Sequence, residues 1–582
     1  MSSYSFNTSG NIYMSRRKFD MSHKVTTTMK VGKLTPINCE EVLPGDGWYT
    51  KLRYLARLST SFVRPVMDSF FMDTFHFFVP LRELYTEYES VFGNPSPSAY
   101  VDNDLGEFPT YSGSITVPEK TVGDYLTLPT KVELPKNLSV LKYRAFALIY
   151  EHWFRNQNTV EPMHVQRGEI VDSELPNNND WAPNNYTGKL PDISKFNDYF
   201  TSCLPNTQKG GAVNVSSVNF PASVFPVRTA SDDLIDISSI DPAAFPLRLR
   251  TRYGDEMTEN NSYIGMYRLQ DGAVNLNYGS PLIQNSDNRF STNPNDTLIP
   301  TNLKVDIPDM PLSAVNVNDL RFVVKLQEML EKDARGGSRY NEYVLSHYGV
   351  SMPDLNMQIP EYLGGLRTPL SLQQVAQTSQ NEKNNALGSL GAYSQSYGRS
   401  RYSKSFFEHG FIMTLAAIRY KHSYQQGIDR SFMRSRREDF YDPLFAHLGE
   451  QPVYKWQLFG NIDTNKSLRD GSVFGYQEYA ADYRYRPDVV TGEMRSNATY
   501  SFDVYHFADD YENAPSLTSA FTNENAEFFR RTTVVAPVLD PDADPDSTKN
   551  LDVDDFLVEF YFDSKVIRSM PIRSVPSFAS FK

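Results

Sequence analysis

The residue types that most often perform chemistry are scattered along this 582-residue chain. None of its nine histidines stands in a His-Glu-x-x-His or close His-x-His pattern, the spacings at which one element presents two ligands to zinc. The two cysteines, Cys39 and Cys203, are too far apart in sequence for a Cys-x-x-Cys pair. No Gly-x-Ser-x-Gly elbow and no Gly-x-x-x-x-Gly-Lys-Ser/Thr loop occurs either. We therefore predict no catalytic centre, no metal site and no cofactor.

One acidic run comes nearest to a cation site, because it places four carboxylates at alternate positions: Asp540, Asp542, Asp544 and Asp546. A calcium loop begins in this way. However, Pro545 stands where that loop needs a glycine for its sharp turn, and Leu551 stands where it needs a bidentate glutamate. The run is therefore interpreted as a solvated acidic loop, with a surface cation site as the alternative.

Basic residues are concentrated in three segments, although the whole chain carries a net charge of -13. Residues 1–37 carry +5, residues 399–437 carry +7 and the last 19 residues carry +4, whereas residues 438–563 carry -16. Lys and Arg attract phosphates whatever the base sequence, so the basic segments indicate contact with a nucleic acid. Two alternatives stay open: a solvated charged surface, or contact with the acidic segment of a neighbouring subunit.

Two compact clusters within these segments are the candidate DNA-facing or subunit-contact residues: Arg16, Arg17, Lys18, Arg434, Arg436 and Arg437. Their guanidinium and ammonium groups would bind phosphates without reading base sequence. Nearby Tyr and Phe rings would stack on unpaired bases.

The composition excludes several classes of protein. No run of about 18 apolar residues exists, so no membrane-spanning helix and no membrane insertion are predicted. The first residues lack the apolar stretch of a signal peptide, and two cysteines cannot staple a secreted scaffold. The 36 Tyr, 37 Phe and 36 Pro residues favour strands joined by turns.

The elements that position these residues are mainly predicted strands, because short apolar runs alternate with Pro and Gly. Residues 43–80 predict two or three strands that end at Pro80. Further strands are predicted at 411–420, 532–538 and 556–570, and weaker ones at 212–218 and 263–269. Residues 377–405 are poor in apolar side chains and are predicted to form a loop.

Helices are predicted at only three places. Apolar residues recur at helical spacing over 141–157 and 319–334, and a shorter helix over 340–348 ends at Gly349. Asn318 or Asp319 would cap the second helix, and the Gly336-Gly337 pair would end it. Many short strands with few helices predict an all-β fold, a β-sandwich or jelly roll with long loop insertions.

The predicted domain organisation has three parts. Residues 1–204 form an N-terminal arm and the first part of the sandwich, and residues 306–582 form its remainder, with helices, long loops and a basic tail. Residues 205–305 are rich in Asn, Ser, Pro and Asp, which indicates a surface insertion.

Motifs along nearly the whole chain resemble the major capsid protein of the Microviridae, and most closely that of its gokushovirus branch. The N-terminal motifs are RRKFDMSHKVTTTMKVGKLTPI (16–37), LPGD (43–46) and PVMDSFFMDTFHFFVPLR (65–82). Later motifs include YRAFALIYEHWFRNQN (143–158), DARGGSRYNEYVLSHYGV (333–350), REDFYDPLFAHLGEQPV (437–453) and RSMPIRSVP (568–576). They occur in the family's order and are highly specific together. The segment from 207 to 301 matches no motif of the family.

The resemblance implies a viral jelly-roll subunit of an icosahedral shell, about sixty copies in all, around a circular single-stranded DNA genome. It also implies that the large insertion forms a protrusion at the threefold axes, exposed for attachment to a host cell-surface receptor. The implied partners are a small basic DNA-binding packaging protein and a DNA pilot (minor capsid) protein. The protein would be made and assembled in the host bacterial cytoplasm and reside in the virion.

One other class of function is compatible with the composition. A β-rich receptor-binding or carbohydrate-binding phage protein would use aromatic loops to stack on sugars. A megadalton shell in sedimentation would indicate the capsid protein, and a small oligomer would indicate the alternative.

Overall fold

The computed structural model describes most of the chain outside the central insertion. The described residues are 15–59, 62–93, 106–170, 172–211, 213, 227–229, 249–250, 299–300, 303–305, 317–370, 374–376, 390–393, 396–460, 472–533 and 554–573. Contacts divide the chain into two units, one of residues 1–211 and 328–582 and the other of residues 212–327. The first unit contains the sheets and the candidate residues.

Nine strands build the two main sheets. In chain order they are β1 (Arg16–Asp20), β2 (His23–Met29), β3 (Thr35–Val42), β4 (Gly47–Leu58), β5 (Phe70–Pro80), β6 (Glu361–Leu370), β7 (Ser396–Ser405), β8 (Gly410–Tyr420) and β9 (Phe556–Ser569). In the first sheet, β1 and β2 lie one after the other along one edge of β9. Strand β4 pairs with the other edge of β9, and β7 pairs with β4. The second sheet has the order β6-β5-β8-β3. All of these pairings are antiparallel.

The two sheets pack face to face, because β4 and β9 of the first sheet and β5 and β8 of the second turn apolar side chains toward each other. In the first sheet Leu52 of β4 and Phe560 of β9 point inward, and they share a core with Met72 of β5 and Ile418 of β8. A second cluster, around Trp48, continues this core. The arrangement agrees with the predicted strand-rich β-sandwich with few helices.

The outer face of the second sheet is also covered, which explains why β8 is buried along nearly its whole length and carries mostly apolar side chains. Helix α1 (Leu141–Ile149) packs there against Phe77, Met413 and Leu415. Every residue of α1 except Lys142 is buried. A strand buried on both faces has no polar alternation, so its sequence is a continuous apolar run.

The other helices of the described chain are shorter or lie outside the sandwich. They are α2 (Val317–Gly336), α3 (Tyr340–Tyr348) and four- to five-residue helices at Leu81–Leu84, Tyr88–Phe92, Val122–Tyr125, Ser519–Thr522 and Glu527–Arg530. One π-helical turn, Tyr150–Phe154, extends α1. Single 3-10 turns occur at Asp172–Glu174, Asp354–Met357, Arg430–Met433, Arg437–Asp439, Pro443–Phe445, Lys455–Gln457, Ala481–Tyr483, Gly492–Met494 and Asp503–Tyr505.

Short two-stranded sheets form within the connections between the main elements. They are Thr110–Tyr111 with Leu138–Ser139, Ile115–Thr116 with Glu133–Leu134, Val227–Thr229 with Leu303–Val305, Leu249–Arg250 with Ile299–Pro300, Gln374–Ala376 with Leu390–Tyr393, Ser423–Tyr424 with Asp488–Val489, and Glu450–Tyr454 with Val473–Glu478. Only the pair at 423–424 and 488–489 is parallel.

Most of the predicted elements are confirmed. The strand predicted to end at Pro80 is β5, and those predicted at 411–420 and 556–570 are β8 and β9. The three predicted helices are α1 with its π-helical extension, α2 and α3. Helix α3 ends where Gly349 adopts a φ of +69°, a left-handed conformation that glycine adopts without steric cost.

The prediction of a loop over 377–405 is wrong for its second half, because residues 396–405 form β7 and pair with β4 over ten residues. The inward positions of β7 include Ser396 and Ser400, which are buried but polar, so the strand lacks an apolar alternation. The predicted strands at 212–218 and 263–269, and all but the start of that at 532–538, lie outside the described residues.

A buried ion pair ties α1 to the loops that follow it. The Arg144 guanidinium donates to both carboxylate oxygens of Glu174, over 2.6 and 2.8 Å, and both side chains are fully buried. Arg144 also donates to the carbonyl oxygens of Leu84 and Gly168, and Tyr186 donates to Glu174 over 2.7 Å. Every charge in this cluster is therefore hydrogen-bonded, which a charge removed from water requires.

We expect Arg144→Met to destabilise the protein by about 3–5 kcal/mol, because it leaves the Glu174 carboxylate buried without its cation. Glu174→Leu in the same chain should restore part of the loss. The measurement is the free energy of unfolding of the purified chain in urea. As a control, Lys131→Met breaks the exposed Lys131–Glu119 pair and should cost less than about 1 kcal/mol. Equal effects of the two single substitutions would contradict the assignment.

Candidate nucleic-acid and subunit-contact surfaces

The first candidate cluster lies on β1, at the edge of the first sheet. Arg16, Arg17 and Lys18 pair in register with Ser569, Arg568 and Ile567 of β9. All three side chains are exposed, and none forms an ion pair with a described residue. Directly opposed residues of antiparallel strands share a face, so Arg16 and Lys18 lie on the outer face while Arg17 lies on the inner side, next to Arg568.

A tight turn between β3 and β4 anchors this edge. Arg568 donates from Nε to both carboxylate oxygens of Asp46, each over 3.0 Å, and Asp46 is buried. The same carboxylate accepts from the backbone N–H of Leu43 over 3.0 Å. Gly45 has a φ of +87°, which the turn requires and which a side chain would disfavour. The Leu-Pro-Gly-Asp motif therefore holds the end of β9, the strand that pairs with β1, at the turn before β4.

The second candidate cluster lies in a loop outside both sheets. Arg434 forms an ion pair with Asp482, and its guanidinium lies 4.2 Å from the centre of the Tyr483 ring. Arg437 reaches toward Asp442 at 3.8 Å but keeps about 90% of its side chain exposed. Arg436 is exposed, and its backbone N–H donates to Asp439. Of the three, Arg434 therefore fastens its own loop to the acidic segment of the same chain.

The two candidate clusters thus lie apart, one on the first sheet and one in a loop. Parts of all three basic segments, however, come together in the first sheet. Strands β1 and β2 come from residues 1–37, β7 starts the 399–437 segment, and the end of β9 starts the basic C-terminal segment. All four strands belong to the first sheet. This convergence was not predicted, because sequence distance gives no strand order.

The loop that carries the second cluster also exposes large apolar side chains. Phe432 and Leu444 are 83% and 85% exposed, and Phe440 and Leu448 are more than half exposed. Contiguous apolar side chains on a surface mark sites of protein contact. The segment 430–448 therefore has the chemistry of a subunit interface.

A buried network of charges, missed by sequence reasoning, joins three distant loops. The His422 ring bonds through Nδ1 to Asp509 over 2.6 Å and through Nε2 to Glu524 over 2.8 Å. Lys195 donates to Asp509 over 3.2 Å, and Tyr511 does so over 2.5 Å. The four ionisable groups are almost completely inaccessible to solvent. No spacing in the sequence links residues so far apart.

The network keeps His422 protonated. Burial alone would lower the pKa of this histidine, but the carboxylates of Asp509 and Glu524 outweigh burial and raise the pKa to about 9. Burial would likewise raise the pKa of Asp509, but the charges of His422 and Lys195 hold it below its ordinary value. Two cations thus balance two carboxylates inside the protein.

Metal and membrane features are sparse in the part of the chain that the structure describes. Within it, no group of three or more His, Cys, Asp or Glu side chains is arranged to hold a metal ion. The acidic run 540–546 lies outside the described residues. Cys39 and Cys203 are both free thiols, and burial raises the pKa of Cys39 to about 12. No described helix is both long and apolar enough to cross a bilayer.

Comparison with known proteins gives consistent matches along the chain. The family model described as capsid protein (F protein) matches residues 9–578. The relative called capsid protein VP1 from Chlamydia phage 1 is 35% identical, and the alignment covers 96% of this chain and 95% of the relative. Capsid protein VP1 from Spiroplasma virus 4 is 33% identical, with 97% and 95% covered. Capsid protein VP1 from Bdellovibrio phage phiMH2K is 30% identical, with 99% and 97% covered.

We expect His422→Gln to destabilise the unassembled chain by about 3–5 kcal/mol near pH 6, because the buried carboxylates lose a cation. The folded-state pKa of His422 is raised above its ordinary 6.5, so its stabilisation is complete below that value and is lost as the pH rises through about 9. Denaturation in urea from pH 6 to pH 9 should therefore show the two chains converging. His164→Gln, at an exposed histidine, is the control. A pH-independent difference would mean that His422 is neutral.

Proposed function

Because the chain belongs to the capsid protein (F protein) family, it is a structural capsid subunit and not an enzyme, and we propose that about sixty copies form an icosahedral shell around a circular single-stranded DNA genome. The observation that carries the proposal is the match of the family model over nearly the whole chain. The relatives from three Microviridae phages confirm the resemblance seen in the sequence motifs. They leave no support for a receptor-binding or carbohydrate-binding phage protein.

The strand order supports a viral jelly roll as the framework of this subunit. When β1 and β2 are counted as one position, the eight positions in chain order give sheets of 1-8-3-6 and 5-4-7-2. Each sheet alternates early and late strands, as two Greek keys wound around one sandwich require.

A shell needs subunit contacts, and the segment 430–448 supplies a suitable surface. Its exposed apolar residues would bury against a neighbouring copy, while Arg436 and Arg437 could meet carboxylates of the neighbour's acidic segment. A further partner follows from the net charge. A subunit of charge -13 cannot neutralise a packed genome, so we propose that a small basic DNA-binding packaging protein enters with the DNA.

We further propose a DNA pilot (minor capsid) protein as a partner, a place in the virion for the protein, and assembly in the host bacterial cytoplasm. The segment 205–305 is the proposed surface insertion that forms the threefold protrusion and meets a host cell-surface receptor. Its polar composition, and the separate clustering of residues 212–327, support this role.

The shell itself is tested on purified particles of the unaltered protein. Electron microscopy and sedimentation should show one size of icosahedral shell, and nuclease digestion of the extracted nucleic acid should identify single-stranded circular DNA. A small soluble oligomer, or particles with double-stranded DNA, would overturn the proposed function.

We expect replacement of residues 212–305 by a Gly/Ser linker to leave the main unit folded. Loop-closure entropy changes by only about 0.6 kcal/mol for each doubling of loop length. The unfolding transition of the soluble chain should therefore stay in place, while particles lose adsorption to host cells. An insoluble, unfolded product would place the segment in the core instead.

We expect Leu444→Glu to lower shell yield at least tenfold, since a loss of about 1.4 kcal/mol at a contact already weakens association tenfold. The soluble chain should unfold at its usual temperature, because Leu444 is exposed within the subunit. Val132→Glu places the same charge at an exposed apolar residue of another segment and serves as the control. Normal shells from Leu444→Glu would remove the 430–448 segment from the interface.

A further inference from the structure

We propose that the outer face of the first sheet is the surface that binds the backbone of single-stranded DNA, an inference that rests on the proposed function. The face is made by the outward side chains of β1, β2, β9, β4 and β7. In the second sheet the corresponding face is covered by α1, but here the outward residues Tyr49, Tyr561 and Ile567 are exposed. The described chain therefore leaves one broad sheet face open.

The register of the strands brings cations from distant segments together on this face. Arg53 of β4 lies between Tyr561 of β9 and Arg399 of β7. In the next outward row Lys51 lies between Asp563 and Arg401. Neighbouring strands are about 4.8 Å apart, and outward residues of one strand recur about every 6.6 Å, so the charges form a dense grid.

The face is strongly positive in a chain that is negative overall. Its outward cations are Arg16, Lys18, Lys24, Lys51, Arg53, Arg57, Arg399, Arg401 and Lys565. Its outward carboxylates are Asp20, Glu559 and Asp563, which leaves a net charge of +6. The other residues of the chain sum to -19, so the positive charge is a local property of this face, and it favours an anionic partner.

The few carboxylates on this face do not neutralise its arginines. Glu559 pairs with Lys24 at 3.4 Å, and Asp563 lies 3.9 Å from Lys565. None of the four arginines at the centre of the face forms an ion pair with a described residue: Arg53, Arg57, Arg399 and Arg401. Elsewhere in the same unit arginines are closely paired, as Arg335 is with Glu450 and Arg419 with Asp73.

Aromatic rings among the cations favour single-stranded DNA over an acidic protein as the partner. Tyr397 is 70% exposed and Tyr561 is 43% exposed, and Tyr49 lies beside Lys51. Proteins bind single strands by combining a positive surface with rings on which unpaired bases stack. The acidic segment of a neighbouring subunit would use the cations but leave the rings without bases to stack on. Bases of any sequence would fit, because the phosphates carry the attraction.

The test compares two triple variants of the full-length chain that each remove three positive charges. The face variant is Arg53→Gln, Arg399→Gln and Arg401→Gln, and the control variant is Arg64→Gln, Lys136→Gln and Arg486→Gln, at exposed cations outside the first sheet. Binding to a fluorescein-labelled oligothymidylate is measured by anisotropy at several NaCl concentrations. The face variant should lower the slope of log affinity against log salt by about 2, since each phosphate contact on a single strand contributes about 0.7. The control variant should keep the slope of the unaltered chain.

The contribution of the rings is measured separately with Tyr561→Leu, which keeps an apolar residue in the strand but removes the ring. Affinity should fall about 5- to 150-fold with an unchanged salt slope, because a stacked base contributes about 1–3 kcal/mol. A far-ultraviolet circular dichroism spectrum equal to that of the unaltered chain confirms that each variant is folded.

Particles decide between DNA and a neighbouring subunit as the partner of this face. If the face binds DNA, the face variant forms shells of normal sedimentation that contain less DNA by their absorbance ratio at 260 and 280 nm. If shells of the face variant fail to form while oligothymidylate binding is unchanged, the face is a subunit contact and the inference is wrong. Equal binding by face and control variants also overturns it. Shells of the unaltered protein that lack single-stranded DNA would instead contradict the proposed function.

Discussion

The pairing of the last strand with the first strands is the constraint on which the rest of the structure depends. Strand β9 lies between β4 on one side and β1 and β2 on the other, over 14 residues. The first sheet therefore cannot close until nearly the whole chain is present. The Asp46–Arg568 ion pair ties the end of β9 to the turn before β4, and the inward sides of β4 and β9 supply eight residues of the core between the sheets. Basic segments from both ends of the chain share one face only because of this pairing.

The two sheets alternate early and late strands in the same way, but their outer faces differ. The covered face of the second sheet contributes to stability, whereas the open face of the first sheet is available for binding. Helix α1 covers the second sheet, so that β5 and β8 are largely buried on both faces. The first sheet has no such cover among the described residues, and its outward positions are free to carry charge. Placing nine cations on one solvated face requires little desolvation.

The sequence predicts elements whose signal is local. Strand β9 was recognised because apolar residues alternate from Phe556 to Phe562, and α3 because it ends at Gly349. Strand β7 was missed because Ser396 and Ser400 occupy inward positions that usually carry apolar residues. The candidate clusters were found from charge density, but charge density cannot distinguish exposed Arg16 from Arg434, which pairs with Asp482. The His422 network and the grid on the first sheet depend on register between distant strands and loops, which no local pattern contains.

Two buried histidines show that the core and the loops are stabilised by different interactions. Hydroxyl groups bind the histidine in the core, and carboxylates bind the histidine in the loops. His76 lies between the sheets, bonded to Thr414 and Ser400 at 2.9 Å, and burial lowers its pKa to about 3. Its neutral form is favoured, so the unfolded chain binds more protons and stability falls as the pH drops below about 6.5. His422 has its pKa raised, so stability falls as the pH rises from about 6.5 toward 9. Both histidines are buried, so salt screens their interactions little. A higher ionic strength therefore weakens charge contacts on the open sheet face but leaves these two buried sites largely unchanged.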